Sequence, residues 1–224
     1  MKRVIFHLLR LSWLMLGLFI FGFAINFLVE ARLGVSPWDV LHLGLTNYLP
    51  FTFGQIMIGT GLVCVVGAIP LGVKPGQATI INMIFVGIFT DLIMAAGWVP
   101  PQDSYLFRSF YLFMGILGCG LGTGVYMTAN MGTGPRDSLM MGLYKLTGWR
   151  IGVVRTIIEI AAVMIGYFLG GPVGAGTLAF CLTIGWSSEV FLKLFAFCAK
   201  QDWFTRRISL LKTKHVNPGE AHGS

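Results

Sequence analysis

Charge is scarce in this chain. Of its 224 residues only 9 are Asp or Glu and 16 are Lys or Arg, 11% charged against 55% hydrophobic. Ordinary globular domains carry about 25% charged residues. A soluble protein of this length could not cover its surface with so few, so the composition excludes a water-facing domain and points to a membrane. Cysteine is also scarce. Cys64, Cys119, Cys181 and Cys198 fall in or beside apolar runs with no C-x-x-C or metal spacing. They read as small packing residues and leave the redox compartment open. Catalytic signatures are missing too: there is no H-E-x-x-H, no G-x-S-x-G and no Cys–His pairing with a supporting acid. The Gly-rich stretches "LGVKPGQAT" and "LGGPVGAGT" lack the Lys-Ser/Thr of a phosphate loop. The expectation is therefore no enzyme, no cofactor and no metal site.

What the chain has is apolar length. A bilayer core about 30 Å thick needs about 20 helical residues. Six apolar segments approach that, near 11–29, 53–71, 78–98, 107–128, 151–169 and 174–197. The first follows "MKR" but is long and lacks an A-x-A-like cleavage site, so it reads as a span. The net charge of +7 reflects topology rather than nucleic acid. With the N-terminus in the cytoplasm and six crossings, 14 of the 16 basic residues lie inside, leaving Arg32 and Arg108 outside. The positive-inside rule then predicts both termini in the cytoplasm.

The chain also repeats itself. Residues 16–93 slide onto 114–191 without a gap, and 16 of the 78 pairs are identical, 8 of them Gly–Gly. Gly34/Gly132, Pro37/Pro135, Asp39/Asp137, Gly54/Gly152 and Gly87/Gly185 are among them, and Asp91 pairs with Glu189. Three spans per copy is an odd number, so the second copy enters from the opposite face. The fold expected is an all-α membrane protein with six transmembrane helices as an inverted repeat of two three-helix units. Residues 1–104 form the first unit, 105–198 the second, and 199–224 a basic cytoplasmic tail.

Each copy carries an interrupted phrase, "ARLGVSPWDVLHLGL" and "ANMGTGPRDSLMMGL". Ser36 reads as an N-cap, Pro37 as the first helical position and Asp39 as first-turn acid; Gly134-Pro135-Arg136-Asp137 starts a second short helix. Both are too short to cross, so each unit holds a short broken or re-entrant helix. Two readings stand for Asp39 and Asp137: caps of two surface helices, or members of a solute site where helix N-termini meet.

Arg155 and Glu159 lie one helical turn apart in the fifth span, where ionisable residues are costly. They read as a site pair or as a salt bridge between helices. Asp91 and Glu189 read as gates or as wet helix ends. His42, three residues after Asp39, reads as a proton relay or as a single hydrogen-bonded histidine, and Asn82 as a polar lining or a helix–helix bond. Gly118, Gly120, Gly122 and Gly124 read as close helix packing. The tail "AKQDWFTRRISLLKTKH" reads as an amphipathic helix on anionic lipid.

The phrases "LGVSPWDVLHLGL" and "MGTGPRDSLMMGL", with "GGPVGAGTLAF", resemble the bacterial YczE/YitT-like integral membrane proteins over residues 10–197. The chain has no match to the soluble C-terminal domain of many YitT-type members, so the shorter YczE branch is the nearer. The resemblance implies a bacterial plasma-membrane protein and names no substrate. The expectation is a transporter or channel for a small, anionic or zwitterionic solute, bound by Ser36, Asp39, Arg136, Asp137, Arg155 and Glu159. The rival is a non-transporting scaffold or regulator acting through a protein partner. A homo-oligomer is compatible with either.

Overall fold

The computed structural model describes residues 2–129, 131–132 and 134–200. They form eight helices and, among the described residues, no strand: α1 (Lys2–Ala31), α2 (Pro37–Thr46), α3 (Phe53–Ala68), α4 (Gln77–Ala95), α5 (Tyr105–Thr128), α6 (Pro135–Thr147), α7 (Ile151–Phe168) and α8 (Ala175–Lys200). Helices α1, α4, α5, α7 and α8 are long and apolar enough to cross a bilayer. The segment expected as a span over 53–71 is the apolar helix α3, which has 16 residues and stops at Ala68. At 1.5 Å per residue it is about 24 Å long, under the thickness of a typical core. The expected basic tail helix lies outside the described residues.

The helix starts follow from local chemistry and keep the repeat distance. Ser36 caps α2 by accepting from the Asp39 N–H, with Pro37 at the first helical position. Thr52 and Gln55 close a reciprocal capping box on α3. Pro37 and Pro135, Phe53 and Ile151, and Gln77 and Ala175 all start helices, each pair 98 residues apart.

The longest seam joins repeat-mates α1 and α5 and runs antiparallel: Gly17 meets Tyr126, Ala24 meets Gly118, and Leu28 meets Gly115. A Cβ at Gly17 would lie 2.6 Å from the Tyr126 backbone nitrogen, so the small residues let the two backbones approach closely. At the two ends of this seam, Arg10 Nε donates to the Ala129 carbonyl and Arg108 Nε to the Ala31 carbonyl, both at 2.8 Å. These bonds are themselves repeat-mates. Each guanidinium satisfies a carbonyl at the C-terminal end of the other helix, where the helix dipole favours a cation.

The connecting loops interlock in the same reciprocal way. Gly176 N–H donates to the Leu33 carbonyl at 2.7 Å, and its mate, the Ala78 N–H, donates to the Met131 carbonyl at 3.4 Å. Helix α2 packs on α7 and α6 on α3, while α1 packs on α4 and α5 on α8. The central core is built on α1 residues Leu14, Leu18, Ile25 and Leu28. Large apolar side chains such as Val63, Phe168 and Leu182 stay exposed, as a lipid-facing surface requires.

The seam between α3 and α4 breaks this correspondence. It is closed tightly: a Cβ at Gly54 would lie 2.1 Å from the Gly87 carbonyl oxygen. Asp91 of α4 locks it, accepting from the Gly54 N–H at 2.7 Å and from the Thr52 hydroxyl. No comparable seam joins α7 to α8. A Cβ at Gly152 or Gly185 would meet nothing within 4 Å, and Glu189 instead pairs with Lys193 on its own helix at 2.6 Å.

Candidate functional site

Between the two sets of helices lies a cavity of about 620 Å³. The first turns of α2 and α6 both line it, through Ser36 to Asp39 and Gly134 to Ser138. Each short helix therefore brings its N-terminal end, with its positive partial charge, to one space. The two phrases are joined there: the Arg136 guanidinium sits 4.9 Å from the centroid of the Trp38 ring, a cation–π arrangement that holds the planar cation in place.

All six residues read from the sequence as binding residues line this cavity: Ser36, Asp39, Arg136, Asp137, Arg155 and Glu159. Asn82, read as a polar lining or a helix–helix bond, lines it too, and so does Glu189, read as a gate or a wet helix end; Thr60, Tyr126 and Ser188 line it without having been singled out in the sequence. The surface-helix reading does not fit α2. Pro37, Asp39, Val40, His42 and Gly44 are buried, and the helix is enclosed by α7 and α3. Helix α6 buries less: Pro135, Ser138 and Gly142. The Arg155–Glu159 contact is 3.0 Å long and lies within α7, so it is no bridge between helices. Both side chains keep substantial exposure and line the cavity. Asp91 sits at the α3–α4 lock and is no part of the cavity wall, whereas its mate Glu189 is.

Asp39 anchors a buried chain of hydrogen bonds. The Ser36 hydroxyl donates to Asp39 Oδ2 at 2.5 Å, and Asp39 Oδ1 lies 3.2 Å from His42 Nδ1. His42 Nε2 lies 2.8 Å from the Thr60 hydroxyl of α3. Spacing three apart on one helix puts Asp39 and His42 together, but the Thr60 partner comes from tertiary packing and carried no signal in sequence. This chain exists in the first copy alone, since the mates of Ser36, His42 and Thr60 are Gly134, Met140 and Ile158. Chemically the site offers four carboxylates (Asp39, Asp137, Glu159, Glu189) against two guanidiniums (Arg136, Arg155), with the helix ends adding positive character.

An all-helical membrane protein with a charged cavity between interlocked helices is the class these features define. Residues 8–193 match the family of unknown function DUF6198, and the chain belongs to that family. It is 34% identical over 181 residues to the uncharacterized membrane protein YczE of Bacillus subtilis (strain 168), covering 79% of this chain and 82% of that one. An uncharacterized protein of Haemophilus influenzae is 32% identical over 186 residues, covering 83% and 84%. The uncharacterized protein YyaS of Bacillus subtilis is 26% identical over 182 residues, covering 80% and 90%. The likeness to the YczE branch, read from the doubled phrase, is thereby established. No solved structure matches.

Proposed function

We propose that this protein is a transporter of the bacterial inner membrane that moves a small polar solute, most simply a zwitterion, through a site between two inverted units. The observation that carries this reading is the convergence of both interrupted phrases and the Arg155–Glu159 pair on one cavity. A volume of about 620 Å³ falls in the range of small-molecule sites. Carboxylates and guanidiniums together in one cavity match a solute carrying both signs better than a simple anion.

Inversion is supported by the antiparallel run of repeat-mates α1 and α5 and by the two pairs of reciprocal bonds across the units. In this arrangement α3 is the sixth crossing and both termini are cytoplasmic. The unequal seams supply the transport cycle: α3 is shut on α4 while α7 stands off α8, so the cavity is open on one side. Exchange of the two seams would open it on the other, as alternating access between inverted units requires. A scaffold acting through a partner has no need of a charged cavity.

The test is uptake by proteoliposomes, screened against amino acids, small carboxylates and amines with and without a pH gradient. The expected result is saturable uptake of one class, reduced at least about tenfold in the Asp39→Asn/Asp137→Asn double variant. Lack of uptake of every class by correctly folded protein would return the reading to the scaffold.

A further inference from the structure

We infer that the buried Ser36–Asp39–His42–Thr60 chain is a binding site for one exchangeable proton, set into the wall of the solute cavity. The inference deepens the transport reading, because it names the co-ion, yet proton binding can be measured with no solute at all.

The argument starts from hydrogen-bond accounting. A buried polar group left unpaired is destabilising, so a buried group binds and releases a proton readily only when both forms can be satisfied. His42 meets that condition. In the neutral form, Nδ1–H donates to Asp39 Oδ1 and Nε2 accepts from the Thr60 hydroxyl, which lies 2.8 Å away. In the protonated form, Nδ1–H keeps Asp39 and Nε2–H donates to Thr60 Oγ1. The Thr60 hydroxyl then turns to the Met57 carbonyl, already 3.1 Å away. Ser36 holds the second oxygen of Asp39 in both states. One hydroxyl rotation therefore converts one fully bonded state into the other.

Position supplies the second half of the argument. His42 is buried and does not line the cavity, but Ser36 and Thr60 at the two ends of the chain do, and so does Asp39. A proton from the cavity can reach the free Nε2 of the neutral imidazole through the Thr60 hydroxyl, while Nδ1 already carries its hydrogen toward Asp39. The other ionisable groups around the chain are Arg136 and Asp137 on α6, Arg155 and Glu159 on α7, Glu189 on α8, Cys64 on α3, and Cys119 and Tyr126 on α5. Burial first, and then the Arg136 charge, oppose protonation, while the hydrogen bond and charge of the Asp39 carboxylate favour it. Because Asp39 and His42 are in contact, the proton belongs to the pair. Its arrival makes the cavity more positive, which strengthens its hold on the carboxylate end of a solute and links solute and proton in one direction of travel.

The measurement is nuclear magnetic resonance of the full chain in lipid nanodiscs, with 15N in the histidine rings and 13C in the aspartate carboxyls. The His42 signals are identified by their loss in His42→Asn. In wild type we expect one protonation step of the pair within the pH range over which the protein stays folded. Thr60→Val removes the partner of Nε2 and leaves the Asp39 contact, so the midpoint should fall by about one pH unit or more. Asp39→Asn, which deletes the counter-charge, should lower it as well. Constant His42 and Asp39 signals across this range would overturn the proton site while leaving the solute reading intact. A step unmoved by both substitutions would also overturn it, since that is how a histidine outside the chain behaves.

Discussion

Gly54 and Gly152 are the same residue at the same place in two copies, yet their surroundings predict opposite responses. Gly54→Ala would put a Cβ 2.1 Å from the Gly87 carbonyl oxygen and 2.6 Å from the Asp91 carboxyl carbon. The α3–α4 seam must open, at a cost of about 1–3 kcal/mol, as for other overpacked cores. Gly152→Ala meets open space and should be neutral or gain a fraction of the roughly 0.5–1 kcal/mol by which Ala exceeds Gly in helices. Unfolding of the two variants in matched detergent micelles checks this; equal losses would contradict the asymmetry. At this scale the charged lining of the cavity was largely legible. Ser36, Asp39, Arg136 and Asp137 could be read because cap residues, Pro and first-turn acids carry their own local physics, and Arg155 and Glu159 because charge in an apolar span is conspicuous. Thr60 was hidden because a helical Thr in a span ordinarily bonds its own backbone, and only the packing of α3 on α2 turns it toward His42.

Among the elements, the pair α1 and α5 is held at both ends by guanidiniums that satisfy carbonyls of the partner helix. Arg10→Gln and Arg108→Gln should each lower stability by about 1–2 kcal/mol, the scale of a charge-assisted bond at a helix C-terminus. Because the bonds are equivalent and far apart, the double variant should show the sum of the two losses. Chemical unfolding monitored by tryptophan fluorescence tests both statements, and strong non-additivity would deny that the two ends are independent. The helix starts were readable at this scale, since Pro37, Pro135 and the caps mark them. The Arg10–Arg108 equivalence was not, because the repeat was read over residues 16–93 and 114–191 and stops short of both arginines, although they are identical residues 98 apart. Residue 71 was read as the end of the second span because hydrophobicity continues through Leu71. The helix stops at Ala68, and the following turn bonds back through Val73 N–H to the Ala68 carbonyl at 3.1 Å.

For the whole molecule, inversion makes a plain topological prediction. Leu49, just after α2, and Leu146, in the last turn of α6, are near-mates and both are exposed. Single cysteines placed there, in a chain whose native cysteines are replaced by Ala, should react with a membrane-impermeant maleimide from opposite faces of sealed vesicles. Labelling of both from one face would remove the inverted arrangement and the shared site with it.

The seams carry the last prediction. Repetition in sequence leads one to expect repetition in packing, and Gly152, Gly185 and Glu189 keep the pattern of Gly54, Gly87 and Asp91 while α7 and α8 stay apart. A pair of glycines whose helices do not meet is unexplained in this state, but in a state with the seams exchanged both are needed. In that state α7 rests on α8, Glu189 leaves Lys193 for the Gly152 N–H, and Arg150, which stands where the first copy has Thr52, comes beside it. Spin labels at Val153 and Trp186, and at their mates Gln55 and Ile88, report the two seams from exposed positions. In lipid, the 153–186 distance should show a second, shorter population, and the 55–88 distance should lengthen as that population grows. A Gly152→Leu/Gly185→Leu variant, free of clashes in the open seam, should fold normally, lose the shorter population and lose uptake. If the 153–186 distance keeps one value under every pH and solute condition while uptake proceeds, the seams do not exchange and another motion must open the cavity.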